Sequence, residues 1–271
     1  MSDSAVVHAK DLTVAYPGSP RFDAVRGVDL RIEPGEMVGI VGEAGAGKST
    51  LARVLAGRVA KFRERGPRVV GGSLQVLGVQ ASQPGRAASR VLAAQVGFLP
   101  QHAGRTLAPQ LTVAENVTQP LFERDRRADA RDASARAAEL VDAVQLPLGI
   151  MDRYPWELSA GQRQRVAIAR SLILRPTLWI ADEPTASVDV TTRARVLDTL
   201  LELHGEQVFS AVIVSHDAAV MRRSTHRVVV LHRGVVAAAG PLDEVLATPE
   251  HPYVRGLRDD YRTRTGTVPL V

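Results

Sequence analysis

Apolar and polar residues alternate across residues 5–14 and 25–32. A strand with one face in a core and the other in water shows this period of two, so both segments are predicted as half-buried antiparallel strands. Pro17-Gly18 and Pro34-Gly35 mark turns beside them. Residues 37–41, 96–99, 178–181, 211–214 and 228–231 are unbroken apolar runs. Runs of that length fit parallel strands covered by helices on both faces. A helix-like segment, 50–56, follows the first run closely. Between residues 112 and 171 helical spacing dominates. There, residues 128–144 mix charges of both signs with Leu140, Val141 and Val144, the profile of a helix with one solvated face. The pattern predicts an α/β sheet with a helical subdomain inserted between strands. From Pro241 it predicts a small helical appendage with a ragged end after Tyr261. No internal repeat or low-complexity linker interrupts this order.

Composition narrows the classes. With 271 residues the chain buries a sizeable core without staples. It has no cysteine, which excludes a disulfide scaffold, an iron–sulfur cluster and a cysteine-ligated zinc site. No apolar stretch approaches the roughly 20 residues that span a bilayer, and residues 1–10 lack the pattern of a secretory signal, so a cytoplasmic location is expected. Net charge is +5, and part of the excess is local: residues 51–72 hold Arg53, Arg58, Lys61, Arg63, Arg65 and Arg68 against Glu64 alone. Phe62 is the one aromatic among them, too few for a row of base-stacking platforms. The run is read as a solvated surface or a patch facing an anionic partner, with no nucleic acid expected.

Two segments carry chemistry. Gly42-Glu43-Ala44-Gly45-Ala46-Gly47-Lys48-Ser49 lies directly between an apolar run and a helix-like segment, the strand–loop–helix context of a phosphate-binding loop. Glycines let backbone N–H groups turn toward phosphate oxygens, and the helix N-terminus adds partial positive charge. Lys48 is expected at the β- and γ-phosphates, Ser49 on Mg²⁺, and Thr50 at the α-phosphate. The second segment, Leu178-Trp179-Ile180-Ala181-Asp182-Glu183, is an apolar strand ending in two carboxylates. It would deliver Asp182 to the Mg²⁺ and Glu183 to a water in line with the γ-phosphate.

Leu158-Ser159-Ala160-Gly161-Gln162, followed by Arg163-Gln164-Arg165 and lying shortly before the Asp182-Glu183 strand, resembles the signature motif of ATP-binding cassette (ABC) ATPases. The resemblance is collinear over nearly the whole chain. Tyr16 matches the aromatic that stacks on adenine, and Gln101 matches the glutamine loop. Ser187-Val188-Asp189 is similar to the D-loop, and His216 to the switch histidine. Each has a structural alternative by itself: Tyr16 as a core cap, Gln101 as a loop polar residue, His216 as a satisfied histidine. Ser159 is read as a helix N-cap in addition to an anion site. Ala160 stands where the family pattern has glycine. Residues 248–257, Arg153 to Leu158 and Asp189-Val190-Thr191-Thr192 resemble the peptide and nickel importer subgroup, from which the chain departs in lacking a cysteine cluster and at residues 104–111. His251 and Tyr253 are read as a packed structural tail.

The resemblance implies a P-loop NTPase (RecA-like) α/β core with an antiparallel β subdomain and an inserted α-helical subdomain at about residues 102–172. The ATPase domain would cover residues 1–240 and a short helical extension residues 241–271. It implies ATP and Mg²⁺ as cofactors. Glu183, His216, Gln101 and Asp189 are the implied catalytic residues. Tyr16, residues 42–50, Ser159, Gly161 and Gln162 are the implied nucleotide contacts, with Ser49, Gln101 and Asp182 on the metal. Two such domains would meet head to tail, so that Ser159 and Gly161 contact a nucleotide held by the partner's loop. The implied partners are integral-membrane permease subunits, a second ATPase subunit and a substrate-binding protein, at the inner face of the cell membrane. The implied activity is ATP hydrolysis energising import of peptides, nickel or a metal-chelate. A carbon–phosphorus lyase type complex and a soluble ABC ATPase unconnected to transport remain as alternatives.

Overall fold

The structure, a computed structural model, describes residues 5–17, 23–60, 65–207 and 209–265. Lys61, Phe62, Arg63 and Glu64 of the basic run lie outside these. The chain opens with β1 (Val7–Ala15) and β2 (Asp23–Ile32), then β3 (Met37–Gly42) and α1 (Lys48–Leu55). There follow β4 (Arg68–Val76), β5 (Val79–Gln80), α2 (Arg86–Gln95) and β6 (Val96–Leu99). Helices α3 (Val113–Arg124), α4 (Ala130–Ala143) and α5 (Ala160–Leu172) come before β7 (Leu178–Asp182). The chain continues through α6 (Val190–Gln207), β8 (Ser210–Val214), α7 (Ala218–Ser224), β9 (Arg227–His232) and β10 (Val235–Gly240). It closes with α8 (Leu242–Ala247) and α9 (Pro252–Thr265).

The strands form two sheets, ordered β2-β1-β4-β5 and β10-β9-β3-β8-β7-β6. The first is antiparallel throughout. In the second, β9, β3, β8, β7 and β6 run parallel and β10 returns antiparallel to β9. β3, β7 and β8 are buried at every residue, as their unbroken apolar runs predict. Within β7 the side chains still alternate. Trp179 and Ala181 join a core with α4, α5 and α6, while Leu178 and Ile180 join one with α1 and the antiparallel sheet. One apolar strand thus serves two cores, which is what buries a parallel sheet.

The sequence pattern does not reveal β4 and β10. In β4, Gly71-Gly72 breaks the alternation, where the register against β1 shifts between Lys10 and Thr13. Residues 235–240 read only as a short apolar stretch, and β10 exposes Val235 and Val236.

The start of α3 and the segment before it are held by local polar groups. Thr112 and Glu115 form a capping box that starts α3. Asn116, fully buried, accepts from the Ala108 N–H and donates to the Ala108, Leu111 and Thr112 carbonyls. One side chain thus satisfies the backbone of the segment where the sequence departs from its subgroup. At the other end, α9 continues past Tyr261 to Thr265, where a ragged end was expected. Residues 266–271 lie outside the described residues.

Candidate active site

Parallel register sends four loops off one edge of the sheet. Ile40 pairs with Val214, Val214 with Asp182, and Leu99 with Ala181. The segments holding Gly42–Ser49, Gln101, Glu183 and His216 therefore all leave the carboxyl ends of neighbouring strands, the place where α/β sheets bind ligands.

In the first loop Gly47 has φ +100°, and a Cβ there would lie 2.1 Å from the Ala24 carbonyl oxygen, so only glycine fits. α1 begins at the next residue with its first N–H groups free of intrahelical partners. Glu43, Ala44 and Gly45 are exposed, Ala46 is buried and Ser49 half-buried. The Lys48 ammonium donates to the carbonyls of Gly42 and Glu43, both at 2.7 Å. Burial lowers its pKa, opposed by the charges of Glu183, Asp182 and Glu43. β1 brings Tyr16 to the same place, its hydroxyl 3.2 Å from the buried Thr50 hydroxyl.

Asp182 ends β7 and is 3% exposed. Burial raises its pKa, a hydrogen bond from the Ser49 side chain lowers it, and the neighbouring Glu183 charge raises it further. Its Oδ1 has no hydrogen-bond partner. A buried carboxylate oxygen left bare beside a serine hydroxyl is an oxygen donor set that fits Mg²⁺. When bound, that ion supplies charge neutralisation to the phosphates.

Glu183 follows in the left-handed region, φ +52°, a costly conformation for a side-chain-bearing residue and one that concentrates at functional sites. Its N–H is fixed to the Val214 carbonyl at 2.9 Å. The turn separates its carboxylate from that of Asp182 and places Oε1 2.7 Å from Nδ1 of His216. The Glu183 side chain is largely buried and that of His216 is open to solvent.

The state of Asp182 makes a stability prediction. Its folded pKa is raised, so the penalty is absent below the unfolded value of about 4 and complete once pH exceeds the folded value. Asp182→Asn should therefore raise the melting temperature of the nucleotide-free protein above neutral pH and flatten its pH dependence. The same variant should lose any melting shift caused by Mg²⁺ with ATP. Thermal unfolding of both proteins against pH, with and without Mg²⁺ and ATP, checks this. A variant less stable than the native chain at pH 8 would show that the Asp182 charge is a net stabiliser.

A second group surrounds the start of α5. Ser159 is its N-cap: its Oγ accepts from the Gln162 N–H at 3.2 Å, and Gln162 Oε1 accepts from the Ser159 N–H at 2.8 Å. Gln162 is thus half of a capping box. Gly161 packs so closely that a Cβ would lie 2.8 Å from the Ser187 carbonyl oxygen. Ala160 is exposed, so its methyl group disturbs nothing inside the chain. Asp189 caps α6, accepting from the Thr192 N–H at 2.9 Å. Hydrogen bonds to the backbone and side chain of Thr192 hold its pKa below the usual carboxylate range. Gln101 is exposed just beyond β6.

Sequence reasoning gave no role to Gln164, named only within the motif, and missed Arg193. Gln164 is 2% exposed; its Oε1 accepts from the Gly104 N–H at 3.2 Å and its Nε2 donates to the Pro184 carbonyl at 3.1 Å. It bridges the loop after Gln101 to the turn after Glu183. A polar residue on the same helical face as the buried Ala167 and Ile168 was the available signal. Arg193 pairs with Asp217 at 2.6 Å and donates to the Val188 carbonyl at 3.2 Å, tying the Ser187–Asp189 turn to the residue after His216. No sequence signal marks that pair.

Residues 25–186 match the ABC transporter family. A Brucella abortus protein named for peptide import is 36% identical over 245 residues, 90% of this chain and 71% of that protein. The oligopeptide transport ATP-binding protein OppF of Salmonella typhimurium is 36% identical over 86% of this chain and 68% of its own length. Among solved structures, the ATP-binding cassette MJ0796, dimeric and bound to ADP and Pi, superposes with a TM-score of 0.78 at 29% identity. That match covers 87% of this chain and 98% of that one. By the family match over most of its length and the identity to these relatives, the chain belongs to the ABC transporter family and is one of its ATP-binding, ATP-hydrolysing cassettes.

Proposed function

We propose that this cassette energises import of peptides, or of nickel or a metal-chelate, through separate membrane subunits. The observation that carries the chemistry is the cluster of Lys48, Ser49, Asp182, Glu183 and His216 at one edge of the parallel sheet. Lys48, the N–H groups of residues 42–50 and Tyr16 hold ATP. Ser49 and Asp182, with Gln101, hold Mg²⁺. Glu183 takes the proton of the attacking water, while His216 orients that water and the γ-phosphate. Chemistry of this type is mostly positioning and charge neutralisation.

Ser159, Gly161 and Gln162 sit at a helix N-terminus suited to an anion, and they serve a second cassette, with Asp189 lying between the two copies. This head-to-tail dimer is supported by the dimeric form of the MJ0796 cassette. Residues 1–240 form the ATPase domain, with the helical insertion 102–172 presented to the permease, and residues 241–271 form the extension. Among the described residues no helix is long and apolar enough to cross a membrane, which supports separate permease subunits and a peripheral position at the inner membrane face. The similarity to OppF supports peptides as cargo, delivered by a substrate-binding protein.

Affinity purification from native membranes tests this reading. Integral-membrane subunits and an ATPase partner should co-purify, and peptides should stimulate hydrolysis in the assembled complex. Recovery with phosphonate-processing enzymes and no membrane subunit would overturn transport in favour of the carbon–phosphorus lyase alternative.

A further inference from the structure

The tail segment His251-Pro252-Tyr253 has no part in the chemistry described so far, yet its side chains reach the phosphate loop through one intermediary. Gly42 pairs with Leu231 across the parallel strands β3 and β9. The next residues, Glu43 and His232, are therefore neighbours where the two strands end. His232 Nδ1 lies 3.1 Å from Glu43 Oε1. Nδ1 makes no hydrogen bond there, so the contact is one of distance and charge: a protonated ring attracts the carboxylate. The turn after β9 is joined to the same loop by its backbone, the Gly234 N–H donating to the Ala46 carbonyl at 3.1 Å.

The far side of His232 is occupied by the tail. The Tyr253 ring stacks on it, centroids 4.8 Å apart and planes 22° from parallel. His251 sits at 5.2 Å. The order His-Pro-Tyr has a local cause. His251 caps α9, its Nδ1 accepting from the Tyr253 N–H at 3.1 Å. Pro252 takes the first helical position, where its missing N–H costs nothing. The aromatic at the second position is thereby aimed back at β9. Tyr253 in turn packs against the main core, which fixes the stack.

We infer that His251 and Tyr253 are positioning residues for ATP: through His232 they hold the Glu43 carboxylate to one side of the nucleotide loop. A carboxylate at the second position of an anion-binding loop opposes the ligand by Coulomb repulsion. Drawing it toward His232 moves that charge off the phosphate path and neutralises part of it. The extension thus contributes to nucleotide affinity without touching nucleotide. This rests on the assignment of residues 42–50 to ATP.

The test is a double-mutant cycle in the full chain, read as the Kd for the non-hydrolysable analogue AMP-PNP with Mg²⁺ by calorimetry. Tyr253→Ala should weaken binding about fivefold in the native background, the size expected when one carboxylate is released near the phosphates at the protein surface. In the Glu43→Gln background the same substitution should change Kd by less than about twofold, because no charge remains to be held. Tyr253→Phe, which keeps the stacking ring, should bind as the native chain does. In turnover the Ala variant should raise KM for ATP and leave kcat unchanged. If Tyr253→Ala does not fold, His232→Asn measured in both Glu43 backgrounds carries the same expectation. Equal weakening in both backgrounds, or none in the native one, overturns the inference while leaving the nucleotide site intact. Failure of the native chain itself to bind the analogue overturns the nucleotide site and the inference together.

Discussion

Glu183→Gln is expected to bind ATP as the native chain does and to hydrolyse it about 10²- to 10⁴-fold more slowly, the usual loss when a general base is removed. The substitution keeps shape and removes charge. Glu183 is held in the left-handed region with its N–H on Val214, so the turn that aims it survives the change. Its carboxylate faces His216 at 2.7 Å, and an amide at that place still accepts a hydrogen bond but no longer takes a proton. Asp182, which has the buried, unpartnered oxygen, is not its equivalent: loss of that group should affect Mg²⁺-dependent binding as well as turnover. Nucleotide binding and phosphate release measured side by side decide the matter. Hydrolysis near the native rate in Glu183→Gln would remove Glu183 from the role of base.

Mixing two inactive variants should restore activity. Lys48→Ala removes the cation of the phosphate loop, and Ser159→Arg blocks the N-terminus of α5. Each alone should lose nearly all turnover, because every composite site in a homodimer then lacks one half. In a mixed dimer the Lys48 of one chain meets the Ser159 of the other, and one of the two sites is whole. At equal concentrations about half of the dimers are mixed and each has one working site, so about a quarter of native activity is expected if the sites act independently. The same geometry predicts that specific activity of the native protein falls on dilution, and that Glu183→Gln with ATP accumulates as a dimer. Sedimentation and activity over a hundredfold range of concentration check both. Constant specific activity in a protein that stays monomeric would exclude the composite site.

How much of this was legible along the chain depends on the range of the forces involved. Residues 42–49 announce a phosphate loop because a glycine turn, a lysine and a helix start are all local. The runs 37–41 and 178–181 announce buried strands because two-sided burial excludes polar residues. β4 escaped because Gly71-Gly72 hides its period. Gln162 and Asp189, marked for chemistry by family resemblance, also serve as capping groups. Such capping follows from neighbours three residues apart.

The sequence by itself determined the α/β class, the position along the chain of the strands that bury on both faces, and the family, and it carries the pattern of a phosphate loop. Each of these is written in short-range patterns of polarity and turn chemistry. The tertiary structure alone decided which distant residues meet. Glu183 and His216, Gln164 with Gly104 and Pro184, and Glu43 with His232 and the tail all depend on sheet register and helix packing. Those contacts join residues far apart in the chain, and no local periodicity records them, because the register that pairs them is set by burial over the whole sheet.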